Sequence, residues 1–240
     1  MLDKNAVEQQ LVPLFSKYPD GAYDSQENKI SIPFVLNAEY EGVWIIELCP
    51  LRIELTDGYP QNVPMVFDAA NRVPRQYSHR YSNGALCVGV PSQILMECGG
   101  TIDLLRFVEG PVTSCLYSAF FQEKYGRMPF GERSHGSLGI LEYFEEFFNV
   151  DAAVAVKMLA YAAAGNYRGS DACPCGSRKQ LWHCHGELMS NLMQTVGKEV
   201  LLNEMNQLRS DIEWAYSIRK RQELVRESVS SSLLNLYRHH

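Results

Sequence analysis

The sequence has no apolar run long enough to cross a bilayer. Its longest alanine-rich stretch, residues 152–164, is 13 residues long and carries Lys157, whereas a transmembrane helix needs ~20. The opening MLDKNAVEQQ has no apolar signal core. Both absences point to a cytoplasmic protein with no membrane partner. No internal repeat or low-complexity segment is present, which excludes solenoids and compositional linkers. A basic excess is also missing: the net charge is −6, and residues 1–150 hold 11 basic against 19 acidic side chains. That front half argues against broad nucleic-acid binding. Only the cysteine- and histidine-rich segment described below and the run Arg219-Lys220-Arg221 could serve it. The seven cysteines are odd in number and three of them crowd one short stretch, so they do not form a secreted disulfide framework. Proline is absent after Pro174, which leaves a long tail free to be helical.

Patterning then sets the elements. Val7, Leu11, Leu14 and Phe15 recur at helical spacing over 3–17, with Asp3 as a cap and Pro13 marking a kink. Residues 20–28 are turn-rich. The runs ISIPFVL, VWIIELC, LRIEL and PMVF follow between Lys29 and Phe67; with Glu39–Gly42 and Asp57-Gly58 as turns they predict a four-stranded antiparallel meander. Residues 69–100 read as irregular. Helical spacing returns at 101–125, broken at Gly110-Pro111, and again at 138–149. Asp151 caps a helix over 152–164 that ends at Gly165. Leu188, Leu192, Val196, Leu201, Met205, Leu208, Ile212 and Ala215 keep one apolar face, which predicts one or two long helices that pack on the chain or on a second copy.

Cys173-Pro-Cys175 is followed, eight residues later, by His183-Cys184-His185. Zinc takes four thiolate or imidazole ligands in a tetrahedron. Cys173, Cys175 and Cys184 supply three, and His185 the fourth, with His183 as its competitor. The stretch CPCGSRKQLWHCHG resembles the zinc motif at the C-terminus of the SecA translocase, where the C-x-C and C-[HC] pairs are the ligands. The resemblance covers about 14 residues and implies a structural zinc ion with a docking role. Four protein ligands leave no open position for catalysis.

The remaining chemistry centres on Cys87. Tyr59-Pro60 and Pro64 make a rigid elbow, and Asn83-Gly84 makes a tight turn before Ala85-Leu86-Cys87-Val88. His79 lies eight residues before the thiol. Of the other cysteines, Cys49 and Cys115 sit in apolar runs and read as core, and Cys98 precedes Gly99-Gly100. A meander, then Tyr59-Pro60 with Pro64, Val66 and Phe67, then His79, then Asn83-Gly84-Ala85-Leu86-Cys87, resembles the ubiquitin-conjugating enzymes over about residues 1–125. The resemblance implies that Cys87 carries a ubiquitin-like modifier, or another protein's C-terminus, as a thioester and passes it to an amine. It implies an adenylating activating enzyme and a target-protein amine as partners. It also implies a setting in bacterial modifier conjugation or antiphage defence. The family has His-Pro-Asn ten to eight residues before its cysteine, and its asparagine stabilises the oxyanion or orders the loop. This chain has His79-Arg80-Tyr81, and Asn83 is the asparagine nearest that place. The family's tryptophan just after the cysteine is absent.

Glu132 and His135 stand between Pro129-Phe130-Gly131 and a helix start. They read as a cap or surface pair, or as groups that fold back to orient or deprotonate the acceptor amine. Together these readings predict an α+β fold in three parts. Residues 1–150 form a ubiquitin-conjugating-like domain, 151–186 a helix with a zinc knuckle, and 187–240 a helical tail able to mediate self-association. Two other functions compete: a cysteine hydrolase using Cys87 and His79, and a zinc-bearing adaptor whose thiol is inactive.

Overall fold

A computed structural model describes residues 4–130, 134 and 136–211. The fold is α+β. Helix α1 (Lys4–Lys17) forms over the expected apolar face, burying Val7, Leu11 and Leu14, and it continues through Pro13. Six strands follow: β1 (Ala22–Asp24), β2 (Lys29–Ile32), β3 (Val35–Tyr40), β4 (Val43–Leu48), β5 (Leu51–Glu54) and β6 (Met65–Asp68). All neighbours pair antiparallel, in the orders β1-β2-β5-β6 and β3-β4.

The two sheets share one long hairpin. Ile32 faces Leu51 and Val35 faces Leu48, so the register is unbroken and Pro33 falls opposite Pro50. Neither proline can donate to a ladder, and pairing lapses at that level. The Cys49 N–H bonds the Phe34 carbonyl at 2.9 Å and resumes it. The meander therefore has four arms, as expected, but differently divided. VWIIELC and LRIEL are successive parts of one arm, and the short β1 supplies the remaining arm from a stretch read as turns. On the outer hairpin Val35, Trp44, Ile46 and Leu48 are exposed.

The helices are α2 (Pro91–Glu97), α3 (Leu104–Phe107), α4 (Thr113–Tyr125), α5 (Gly136–Phe148), α6 (Ala152–Ala164), α7 (Gly186–Val196) and α8, residues 198–211. The break expected at Gly110-Pro111 is instead a π-helical turn, Val108–Val112, joining α3 to α4. The wider turn accommodates a residue with no N–H, and the Thr113 hydroxyl bonds the Val108 carbonyl at 2.7 Å. Helix α2 arises inside the stretch read as irregular, with Pro91 at its start. Asp151 caps α6 through the Val154 N–H at 2.9 Å, and Gly165 ends it. Among the described residues no single helix is long and apolar enough to cross a membrane.

One buried core runs from Val7 on α1 to Leu208 on α8 and includes Met189, Leu192, Val196 and Leu201. Leu192, Val196, Leu201 and Leu208 of the expected face thus pack on the chain itself, with Met205 against them, whereas Leu188 is exposed and Met189 is buried instead; Ile212, Ala215 and Arg219-Lys220-Arg221 lie outside the described residues. At Gly100, just beyond α2, a β-carbon would fall 2.5 Å from the Thr195 carbonyl oxygen of α7 at a φ of +87°. Gly100→Ala is expected to cost about 2–3 kcal/mol in denaturant unfolding. An unchanged midpoint would mean that this contact yields freely.

Candidate functional site

The segment carrying the thiol is built from β6 outward. Asp68, buried at the end of β6, accepts from the Ala70 and Val73 N–H groups at 3.1 and 2.7 Å. Arg80 bonds the Val73 carbonyl at 3.1 Å and approaches Asp68 at 3.9 Å. The chain then forms a small hairpin. Arg80 faces Leu86, Cys87 N–H bonds the His79 carbonyl at 2.8 Å, and Tyr81 N–H bonds the Ala85 carbonyl at 2.8 Å. Leu86 also ties to β6 through the Val66 carbonyl at 2.7 Å. At the tip Gly84 has a φ of +88°, which suits glycine. The Asn83 carbonyl oxygen accepts from Ala85 N–H at 3.0 Å, and its amide reaches the Met65 sulfur at 3.8 Å. Asn83 therefore shapes the turn, and it is absent from the cavity beside the thiol.

The elbow is held from behind. The Tyr59–Pro60 bond is cis. The buried Tyr59 hydroxyl bonds the Gln10 side chain. Gln10 also accepts from Leu104 N–H and donates to the Ile102 carbonyl, both at 2.8 Å. One glutamine thus joins α1, the elbow and the start of α3.

Cys87 is half-buried and opens into a cavity of about 410 Å³. Tyr77, His79 and Tyr81, at every second position, all line this cavity. Across the hairpin His79 is the partner of Cys87, so the two share one face. The other walls come from α4 (Ser114, Cys115 and Ser118), the start of α5, and Gln207 of α8. Among the described lining residues there is no Asp, Glu, Lys or Arg. Cys115 is buried as expected, yet it belongs to this site. Its thiol lies 3.6 Å from the Cys87 carbonyl, the Tyr77 hydroxyl bonds its carbonyl at 3.2 Å, and burial pushes its ionisation up to about 12. Cys49, wholly buried, is likewise pushed up to about 12, by desolvation first and Asp68 second. Neither is a nucleophile at neutral pH. Cys98, half-buried at the end of α2, is also raised, mainly by burial.

Sequence pattern alone did not reveal the contribution of α8. Glu204, only 3% exposed, accepts from the Ser92 N–H at 2.9 Å and from the Ser92 hydroxyl, at the start of α2. It anchors α8 beside the thiol segment, while Ser137 of α5 holds the Gln207 carbonyl at 3.3 Å. Burial raises Glu204 from 4.5 to about 7 against those two bonds. The folded state therefore binds this proton more tightly than the unfolded chain does. Its contribution to stability is complete below pH 4.5 and falls as pH rises to about 7, by about 3 kcal/mol. Glu204→Gln is expected to flatten that decline in urea unfolding across the same window; an unaltered slope would contradict it.

The second centre lies at the other end of the helical layer. Cys173, Cys175, Cys184 and His185 bring their ligand atoms within 4.8 Å of one another. Cys175 and Cys184 sulfurs are 3.5 Å apart, and His185 Nδ1 is 3.4 Å from Cys173 and 3.2 Å from Cys184. Zinc–ligand bond lengths in a tetrahedron demand about 3.8 Å between sulfurs and about 3.6 Å from sulfur to nitrogen. His185 Nε2 lies 3.1 Å from the Phe148 carbonyl. Donation there leaves Nδ1 free for a metal and fixes the ring. These four residues can hold a metal ion. His183 stands outside the cluster, edge-on to Trp182 at 5.6 Å. Burial opposes ionisation of Cys175, but Ser177 hydroxyl and backbone donors and the adjacent thiols outweigh it and lower the group to about 6. Cys173 is raised to about 11, chiefly by burial.

Of the expected site residues, Cys87 and His79 share one cavity and the four metal ligands converge, whereas Asn83 is engaged at the turn. Glu132 and His135 lie outside the described residues. Tyr77, Tyr81, Cys115 and Gln207 are additions. The alternation Tyr77-x-His79-x-Tyr81 was the available signal for two of them. Compared with known proteins, the chain matches no family model, no curated protein and no solved structure.

Proposed function

We propose that this protein is a ubiquitin-conjugating-like acyltransferase in which Cys87 carries a ubiquitin-like modifier, or another protein's C-terminus, as a thioester. The observation that supports this most is the thiol itself: half-buried, on a hairpin fixed by Asn83-Gly84, and opening into a cavity whose described lining residues include no Asp, Glu, Lys or Arg. A thioester-linked tail has lost its carboxylate charge, so such a cavity favours it over the free C-terminus. The α1, meander and elbow order leading to Cys87 supports the same reading.

In the transfer step the acceptor amine, in its neutral form, attacks the thioester carbonyl carbon. The C–N bond forms, the C–S bond breaks, and the electron pair returns to the Cys87 sulfur. The nitrogen's extra proton passes to a base or to water. An adenylating enzyme loads the thiol, and a target-protein amine receives the modifier. The Cys3His cluster holds a structural zinc ion. A nucleophilic thiol and zinc thiolates persist best where thiols are kept reduced, which supports a cytoplasmic setting. Modifier conjugation in bacterial defence is the setting this chemistry fits.

The reading is tested without knowing the modifier. The protein is incubated with the N-acetylglycyl thioester of 2-mercaptoethanesulfonate, and the acylated peptide is mapped by mass spectrometry. Cys87 should acquire an acyl group that dithiothreitol removes and that free lysine discharges as an amide. Discharge to water alone would favour the hydrolase; an unreactive Cys87 would favour the adaptor.

A further inference from the structure

We propose that the Tyr81 hydroxyl is a catalytic hydrogen-bond donor to the Cys87 sulfur, stabilising it as thiolate when an acyl group arrives and when it leaves. This inference rests on Cys87 acyl transfer and adds a residue to it. The hairpin register carries the argument. Tyr81 faces Ala85, two residues before Cys87 on the same extended segment, and is the diagonal neighbour of the thiol. Diagonal pairs lie within reach of an aromatic side chain, and both side chains line the one cavity.

Tyr81 is 43% exposed and still lines the cavity that holds the thiol. Burial raises the ionisation of its hydroxyl, and the Cys87 thiol is the next influence on it. The phenol therefore keeps its proton through neutral pH and stays a donor. His79 shares the face of the thiol, and three other nearby groups are engaged elsewhere. Tyr77 donates to the Cys115 carbonyl, the Cys115 thiol approaches the Cys87 carbonyl, and Asn83 is held at the turn.

During discharge the amine nitrogen bonds to the acyl carbon and the C–S bond breaks with its pair on sulfur. The Tyr81 O–H, unchanged in covalent structure, bonds the developing thiolate. During loading the same bond favours the thiolate that attacks the incoming thioester. No proton leaves Tyr81 in either direction.

The test uses full-length protein acylated at Cys87 with the N-acetylglycyl thioester, and follows discharge to free lysine by intact mass. Tyr81→Phe keeps the ring and is expected to slow discharge about tenfold to a hundredfold, with melting temperature and zinc content unchanged. Tyr125→Phe, an exposed position on α4 outside the cavity, should discharge at the wild-type rate. Equal rates for Tyr81→Phe and wild type, or an equal loss in Tyr125→Phe, would overturn the assignment while leaving Cys87 as carrier. Wild-type protein that never loads at Cys87 would overturn both. Should Tyr81→Phe unfold, 3-fluorotyrosine at position 81 preserves ring and hydroxyl and strengthens the donor. Its discharge should then match or exceed wild type, and a slower rate counts against the proposal.

Discussion

Cys175→Ser is expected to release the metal and unfold the segment from about residue 170 to 211. Structural zinc sites contribute on the order of 10–16 kcal/mol in small peptides at neutral pH, which rivals the 5–15 kcal/mol that holds a whole domain together. Cys175 is one of the four described residues that can hold a metal ion, and the cluster organises its surroundings. His185 is pinned to the end of α5 through Phe148, and Leu181 next to it is fully buried. Without the metal nothing holds the two remaining cysteines, Cys173 and Cys184, and His185 together at this half-buried site. The loss should then spread to α7 and α8, whose buried residues belong to the common core. Metal analysis should fall from one zinc per chain toward none, and hydrogen exchange over 181–211 should accelerate. A metal-free variant with native protection there would sink the prediction. His183→Ala, by contrast, should retain the zinc, because that ring lies outside the cluster.

The second large effect is at Cys87. Cys87→Ala should abolish the reductant-labile acyl adduct. Cys87→Ser should form an adduct more than about 10³-fold more slowly. Any ester it does form should resist dithiothreitol, because serine's alkoxide is a poor leaving group. Both variants should keep their zinc, since Cys87 is not in the metal cluster. Cys49→Ser tests a thiol with no access and should load normally if it folds. An acyl group that maps to Cys98, or that persists in Cys87→Ala, would remove Cys87 as carrier.

The residues that were legible in the sequence are those whose partners are close in the chain. The C-x-C and C-H pairs, the Asn83-Gly84 turn and the Asp151 cap each act within a dozen or so residues, and each stands where its spacing indicated. The choice of His185 over His183 needed the backbone, because only the structure shows which ring meets the Phe148 carbonyl. Pro33 and Pro50 were visible, but their placement opposite each other follows from pairing across the hairpin. Helix α2 hid between glycines that read as loop punctuation. Gln207 and Glu204 were unreadable as site residues: their helical spacing announces a face, and nothing local says that the face ends beside Cys87.

That return of α8 has a consequence in time. A ribosome makes Cys87 well before it makes Gln207, and at ordinary elongation rates the interval is roughly 6–24 s. Through that period the thiol has no wall on its α8 side, and Ser92 has no carboxyl to bind. A newborn chain is therefore more open to stray acylation or oxidation than a finished one. The wall beside Cys87 closes only once α8 has been made.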